Sequence, residues 1–580
     1  MFDKLLIANR GEIAVRVIRA CHELGVTAAV VYSDADADAL HVRLADEAYR
    51  LPGHTATETY LNVDAVMEAV RTSRADAVHP GYGFLSESTL LSEALSKEGR
   101  AFVGPSTAVL DAMGSKITSR KLAEAAGVPG VPGNTAAVLD VSDIHDFANL
   151  HGYPVAIKAS YGGGGRGIRV ARSAQEAKEL LESAQREALT YFGRSDVYLE
   201  RYLDQPRHIE IQILADTFGS TIWIGDRDCS VQRRHQKLIE EAPASFLSAS
   251  LRAEMGRAAV SIAQHVGYVN AGTVEFLVDK DQFYFLEMNT RLQVEHPVTE
   301  MVSGIDIVQE QLRIADGQAL QFDQASVQSN GHAIEIRINA EDPAAGGFYP
   351  SPGTITSLRW PSGGNVRVDA GYESGDTVNE FYDGLVAKLI VHGRDRASAI
   401  EEAKRALRST TVEGIATTTP AQLMILGEDA FSTNAHYTRW LEEQVTLPSS
   451  FDKGDRSIVS VGGREFWIPD HGDAPSGGVA ATESNNAPPA SFTARQTRSN
   501  AVQAGDGIVR SPMQGTVVKV HVAPGDIVSS SDVVCVVEAM KMENLVRAGV
   551  DGRIGAVNCV EGSTVSPGEP LVEIVSVHDE

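Results

Sequence analysis

TVEFLVDKDQFYFLEMNTRLQVEHPVTE occupies residues 273–300. Two strand-like runs, VEFLV and FYFLEMN, flank DKDQ, a composition that favours a turn. Folding the segment about that turn predicts a hairpin with Glu275 and Glu287 nearly opposite each other. Asn289, two residues beyond Glu287, shares its face. Facing carboxylates repel, and the bland outcome would be an exposed acidic edge. Phe276, Leu277, Phe285 and Leu286 point instead to a hairpin packed into a core. Oxygen ligands of this kind suit a hard cation such as Mg²⁺, which also bridges nucleotide phosphates.

Upstream, PVAIKASYGGGGRGIRVA spans residues 154–171. Gly162, Gly164 and Gly167 formally match G-x-G-x-x-G, but a dinucleotide fold needs a helix next and IRVA is strand-like. The segment is expected to be a β-hairpin. Its tip, with Gly163, Gly164 and Gly165 at the centre, would bring backbone N–H groups close to phosphate and close as a lid. Four consecutive glycines carry a high entropic cost, which favours a functional reason for them. Lys158 lies on the strand before the tip, and Lys116, in AMGSKITSRKLA, at a helix start. Residues 232–237, QRRHQK, gather Arg233, Arg234, His235 and Lys237. Such a run is ordinarily a solvated basic face. Here Leu238 and Ile239 follow and the chain is acidic, so an anion pocket is the expectation.

Further out, KLLIAN (4–9) reads as a strand, followed by a helix from Arg10–Gly11 with apolar positions Ile13, Val17, Ile18 and Leu24, closed by Gly25. TAAVVYSD (27–34) and DAVHPGYG (76–83) continue a strand–helix alternation, the mark of a parallel α/β layer. Residues 333–447 mix strands with helix, as in the periodic IEEAKRAL of 400–407. The whole chain has 580 residues, enough for several domains. With 51 Lys and Arg against 77 Asp and Glu, the net charge is −26, which argues against a nucleic-acid surface. Cys21, Cys229, Cys535 and Cys559 show neither metal-ligand spacing nor a disulfide framework. There is no signal-peptide pattern and no membrane-length apolar run. A soluble, cytoplasmic protein is expected.

Residues 469–506 are rich in Ala, Ser, Pro, Gly and Asn and lack the large apolar groups needed to offset ordering. They read as a linker with a coil dimension of about 35 Å. Beyond it the chain repeats itself. GTVVKVHVAPGDIVSSSDVVCVVE (515–538) aligns with GRIGAVNCVEGSTVSPGEPLVEIV (552–575), pairing Gly515 with Gly552, Gly525 with Gly562, Val528 with Val565 and Asp532 with Glu569 at an offset of 37. Two copies of one β-unit are expected to face each other about a pseudo-twofold axis. EAMKMEN between them would be a projecting hairpin. A lysine on a turn is ordinarily a solvated charge. Lys541, between Met540 and Met542 at the furthest projection, suits attachment of a group that must travel.

EAMKMEN within this repeat resembles the biotinyl carrier domain; lipoyl domains share the fold but usually lack both methionines. LLIANRGEIAVRVIRAC, HPGYGFLSE, GGGGRG, RDCSVQRRHQKLIEEAP, EMNTRLQVEHPVTE and AIEIRINAED together resemble the ATP-grasp biotin carboxylases over about residues 1–447. Carbamoyl-phosphate synthetases share the core but not these runs together. The resemblance implies an α/β ATP-grasp biotin carboxylase joined to an all-β flattened barrel of the biotinyl/lipoyl type. The expected domains are a Rossmann-like domain at 1–114 and an ATP-grasp domain at 115–332 with a mobile lid at about 131–203. An α+β C-terminal domain follows at 333–447, then a connecting segment and flexible linker at 448–506, and the carrier at 507–577.

It also implies roles. Bicarbonate is phosphorylated by ATP to carboxyphosphate, whose CO₂ is captured by biotin N1. Glu295 would be the base, and Arg291 would clamp bicarbonate together with Gln293 and the Val294 backbone. Lys237 would bind carboxyphosphate, and Arg337 would stabilise the biotin enolate. Lys116, Lys158, Gly163, Gly164, Gly165, Glu200, Leu203, His208, Gln232, His235 and His436 would contact ATP. Glu275, Glu287 and Asn289 would hold two Mg²⁺ or Mn²⁺ ions. Lys541 would carry covalent biotin, attached by biotin protein ligase. Phe381, in FYDGLVAKL, departs from the commoner tyrosine without touching the chemistry. Two-part chains of this length resemble actinobacterial acyl-CoA carboxylase alpha subunits. These supply carboxybiotin to a separate carboxyltransferase subunit for acetyl- or propionyl-CoA, as in fatty-acid biosynthesis. A homo-oligomer within a larger hetero-oligomeric complex is the family expectation. A split pyruvate or urea carboxylase subunit, or a carrier and assembly module without catalysis, are the alternatives.

Overall fold

The computed structural model describes residues 1–134, 138, 140–159, 168–192, 197–451, 456–461, 464–469, 507–511, 515–530, 532–539, 542–565 and 568–575. The chain divides into two units, residues 1–341 with 351–446 and residues 342–350 with 447–580.

In the first unit the opening segment forms a parallel sheet in the order Glu47–Leu51, Thr27–Ser33, Lys4–Ile7, Ala77–His79, Ala101–Phe102. Leu5, Leu6 and Ile7 are fully buried, as befits a strand covered on both faces. The helix Gly11–Leu24 leaves this strand and ends at Gly25, whose φ of 71° is the left-handed position that glycine adopts at least cost. The strand Glu47–Leu51, with only Leu51 fully buried, carried no apolar run to announce it.

The central element is an eight-stranded sheet. Its order is Gln282–Asn289, Asn270–Asp279, Arg207–Ala215, Thr221–Arg233, Gln236–Ala242, His332–Asn339, Leu385–Gly393, Val366–Ala370. The pairing of Gln236–Ala242 with His332–Asn339 carries it across residue 332, so two intervals that look separate in sequence share one sheet. A smaller antiparallel sheet pairs Val155–Ala159 with both Ile168–Ala171 and Val197–Arg201. It shares a core with the helices Val141–His151 and Ala174–Phe192 through Ile144, Phe147, Leu181 and Leu199. IRVA is therefore a strand, not a helix. The glycine tip with Gly163, Gly164 and Gly165 lies outside the described residues.

In the second unit, Arg456–Val461 pairs with Arg464–Pro469 as a two-stranded hairpin. Its strands carry the short apolar runs IVSV (458–461) and FWI (466–468). Residues 470–506 lie outside the described residues. The carrier follows its repeat closely. Gly515–Val520 pairs with Val533–Ala539 and Thr564–Val565. Its counterpart Gly552–Val557 pairs with Pro570–Val575 and Ile527–Val528. Each copy thus lends its short strand to the other's sheet, the exchange that a twofold demands. Gly525 and Gly562 take φ of 100° and 85°, so both copies need glycine at the same turn. Val517, Val534, Val537, Ile554, Leu571 and Val572 lie between the two four-stranded sheets in one core. Val533–Ala539 and Met542–Arg547 pair as far as Ala539 opposite Met542. Met540 and Lys541 join these strands and lie outside the described residues.

Among the described residues no helix is long and apolar enough to cross a membrane.

Candidate active site

Glu275 and Glu287 are paired in register, with Glu210 on the other side of Glu275. The turn is at Lys280–Asp281, where Lys280 takes a positive φ of 57°. Phe276 and Phe285 are buried as the packing argument expected, whereas Leu286 is exposed. The repulsion falls unevenly. Burial raises Glu275, but Lys237 and His208 outweigh it and hold the carboxylate well below its ordinary value. Burial and the neighbouring Glu275 push Glu287 up. Among the described residues Glu287 has no ion-pair partner. Asn289 Oδ1 accepts from Arg291 Nη2 at 2.8 Å. Two facing carboxylates, one unbalanced, with an amide oxygen alongside are hard-cation chemistry, and Mg²⁺ or Mn²⁺ fits them.

Glu295 is fully buried immediately before the helix His296–Ser303. Lys237 Nζ reaches it at 2.5 Å, Glu210 at 2.8 Å and Glu275 at 3.1 Å. Arg337 Nη2 donates to its other oxygen at 2.9 Å and Arg337 Nε to Glu240 at 2.6 Å. Burial alone would raise Glu295; Lys237, Arg337 and Arg227 together hold it far below the ordinary carboxylate value. Burial works against the Lys237 charge, yet Glu210, Glu275 and Glu295 raise its pKa well above normal. Gln293 Nε2 donates to Glu275 at 2.9 Å, and Arg291 Nε to Glu87 at 3.2 Å. Glu275, Gln293, Lys237, Glu295 and Arg337 thus form one bonded chain.

His208 Nε2 lies 2.9 Å from Glu275, and its Nδ1 lies 2.8 Å from Gln232. Lys158 and Glu200 form an ion pair across adjacent strands of the small sheet. Leu203 is buried with Val131 and Tyr284. Lys116 opens the helix Lys116–Ala125 and is exposed. QRRHQK is not one patch. Arg234 and His235 form a turn with positive φ of 47° and 66°, exposed between the strands that end at Arg233 and begin at Gln236. Gln232 turns inward onto His208, and Lys237 turns into the charged chain. His436 is 1% exposed and stacks on Phe431. It sits with Asp228 and Glu241, carboxylates already bound by Arg207 and Arg396. The structure places His436 in a buried ion-pair knot, its Nε2 3.2 Å from Nη2 of Arg207, the residue before His208.

Sequence reading missed Glu210, Glu240, Arg227 and Cys229. The Cys229 thiol lies 3.8 Å from Glu295, and Arg227 binds Glu210, Gln212, Thr273 and Thr299. A polar residue at every second position of HIEIQIL, His208, Glu210 and Gln212, was the available signal for Glu210.

Comparison with known proteins agrees with this arrangement. Residues 1–110 match the family described as biotin carboxylase, N-terminal domain, and residues 335–443 the biotin carboxylase C-terminal domain. Residues 115–322 match the carbamoyl-phosphate synthase L chain, ATP binding domain, and residues 507–574 the biotin-requiring enzyme domain. The biotin carboxylase domain of a thermophilic 2-oxoglutarate carboxylase bound to bicarbonate superposes with a TM-score of 0.73. It is 43% identical and covers 76% of this chain and 98% of that one. A pyruvate carboxylase subunit from Methanothermobacter thermautotrophicus is 49% identical over 76% of this chain and 90% of its own length. The biotin-dependent acyl-coenzyme A carboxylase alpha3 subunit of Mycobacterium leprae is 44% identical over 98% of both chains. The chain belongs to the biotin carboxylase family, ATP-grasp ligases that carboxylate biotin at the expense of ATP. Within that family it is a carboxylase carrying its own biotin domain, close to the acyl-CoA carboxylase alpha subunits.

Proposed function

We propose that the buried chain Gln293–Glu275–Lys237–Glu295–Arg337 is the catalytic centre. In this reading it makes carboxyphosphate from bicarbonate and ATP and supplies the carboxyl group to biotin on Lys541. The observation that carries this reading is Glu295 itself, a fully buried carboxylate gripped by two cations. Ionised at neutral pH, it can accept the bicarbonate proton. While Lys237 holds it, it is a weak base. When Lys237 moves to phosphate oxygens, that grip loosens and its proton affinity rises. Arg291, Gln293 and the Val294 N–H would hold bicarbonate, the planar guanidinium suiting a planar oxyanion. Arg337 would give the group being carboxylated a fixed positive neighbour. Lys116, Lys158, Gly163, Gly164, Gly165, Glu200, Leu203, His208, Gln232 and His235 would serve ATP. Glu275, Glu287 and Asn289 would hold Mg²⁺ or Mn²⁺, which when bound neutralises phosphate charge. Biotin, when attached, supplies a ring nitrogen that takes and releases the carboxyl group.

The alpha3 relative spans both the carboxylase and the carrier. That supports a separate carboxyltransferase subunit that uses an acyl-CoA such as acetyl- or propionyl-CoA. The pyruvate carboxylase relative matches only the carboxylase portion, and so supports the chemistry without the acceptor. Biotin protein ligase would load Lys541, in the cytoplasm, within a larger hetero-oligomer.

Two measurements test this. Intact mass of the chain produced with biotin protein ligase should rise by one biotin, and not in Lys541→Ala. Phosphate release from MgATP with free biotin should depend on bicarbonate. Absence of the mass shift sinks the carrier assignment; bicarbonate-independent background alone would favour a carrier without catalysis.

A further inference from the structure

We infer that Lys388 and His296 are positioning residues for bicarbonate. From behind the 293–295 loop they tie down two successive carbonyls and so turn the Val294 and Glu295 N–H groups towards the anion. This rests on the proposed assignment of Arg291, Gln293 and Val294 to bicarbonate.

Lys388 lies on the strand Leu385–Gly393, between Arg337 on one neighbouring strand and Asp369 on the other. It is 0% exposed. Its Nζ lies 3.1 Å from Glu12 and 4.0 Å from Asp369, and it donates to the Val294 carbonyl at 3.0 Å. A buried ammonium beside two carboxylates could have spent all its donors on them. Directing one to a main-chain oxygen instead fixes the Val294–Glu295 peptide plane.

His296 opens the next helix and is also 0% exposed. Its Nδ1 is 2.8 Å from the Gln293 carbonyl. A carbonyl only accepts, so Nδ1 carries the hydrogen. Burial, with Lys388, Arg16 and Arg367 nearby, keeps the ring's pKa well below normal, and Nε2 has no partner among the described residues. The ring is thus a neutral donor with a single bond to make. Arg291 Nη1 donates to the Leu292 carbonyl at 3.2 Å. Three consecutive carbonyls are therefore each held by a side chain.

In a planar trans peptide the N–H points opposite to the C=O. Holding the Gln293 and Val294 oxygens from behind directs the Val294 and Glu295 N–H groups the other way. Neither donates to a described residue. Two pinned N–H groups beside Gln293 and Arg291 are a preorganised receptor for a small oxyanion.

The test compares KM for bicarbonate with KM for MgATP, using free biotin, together with the thermal unfolding midpoint. His296→Leu removes the donor, and His296→Asn returns an N–H at the δ position. Lys388→Met is made with Glu12→Gln so that no carboxylate is left buried and unpaired. His296→Leu and the double variant should each raise the bicarbonate KM about tenfold or more, with KM for MgATP within about twofold. His296→Asn should recover most of that loss. An unchanged bicarbonate KM, equal movement of both constants, or no difference between Leu and Asn would overturn the inference. The His296 pair decides alone if the double variant does not fold. Gln293→Ala separates the underlying assignment: if it too leaves the bicarbonate KM untouched, the anion site lies elsewhere.

Discussion

Two of the glutamate pairs that face each other in register in the eight-stranded sheet, Glu275 with Glu287 and Glu240 with Glu335, meet different fates. Both put like charges across adjacent strands. In the first, Glu275 is ionised by Lys237 and His208, and half-buried Glu287 keeps its oxygens free. In the second, burial lifts Glu240 to about 7 despite Arg337, and lifts Glu335 well above the ordinary range. Both Glu335 oxygens lack a partner among the described residues. One pair invites a cation; the other is quieted by a proton. Facing carboxylates alone do not make a metal site. What decides is whether an oxygen remains open to the side where a ligand can arrive.

The largest effect should come from the open pair. Glu287→Gln removes charge where the proposed divalent cation and phosphates would meet, and phosphate release should fall by about 10²–10³. The Mg²⁺ concentration for half-maximal rate should rise, as a titration at fixed ATP would show. If Glu240→Gln cost as much, the contrast between the pairs would be lost.

Glu240 should give a smaller, pH-dependent effect. Its folded pKa is raised to about 7, so the native state holds a proton that the unfolded chain releases near 4.5. Stability falls as pH rises through that window, by at most about 3 kcal/mol. Glu240→Gln should flatten that slope in urea melts between pH 5 and 7 and slow turnover about tenfold, since an amide replaces the carboxyl group that holds Arg337. A wild-type protein with no slope in that window would show the pair to be ionised throughout.

The two pairs also divide what could be read from sequence. Glu275 and Glu287 are twelve residues apart around DKDQ, so counting back from the turn brings them within one residue of register, and a bulge next to Phe276 supplies the last step. Glu240 and Glu335 lie 95 residues apart, and their register follows from strand pairing across the whole sheet, which no local pattern encodes. For the same reason the resemblance yielded Lys237, Glu295 and Arg337 as names, while the bonds of Lys237 to Glu210 and of Lys388 to Val294 came only with the fold. The carrier was legible because its repeat shows in the sequence at an offset of 37. The 456–469 hairpin was not, because its two apolar runs are short and border a long polar stretch. The motif around His436 conveyed presence near the nucleotide domain but not depth; its burial against Phe431 came only with the fold.

Glu335 should show the smallest effect and is the sharpest test of the proton account. Its pKa reflects burial first. Lys388 and Arg337 pull it down, while Glu240 and Glu295 push it up. If burial prevails, the side chain is already neutral at pH 7, and Glu335→Gln exchanges one neutral polar group for another of the same shape. Activity should then stay within about twofold and stability within about 1 kcal/mol of wild type at pH 7. At alkaline pH the wild type should weaken relative to the variant, because a raised native pKa makes ionisation increasingly costly as pH climbs. If instead Lys388 and Arg337 keep Glu335 ionised as their counter-ion, Glu335→Gln would leave two buried cations underpaired, and it would cost several kcal/mol at pH 7 with no alkaline crossover. Melts of the two proteins at pH 7 and 9 separate these cases, because the wild type loses ground to the variant between those pH values in the first case and not in the second.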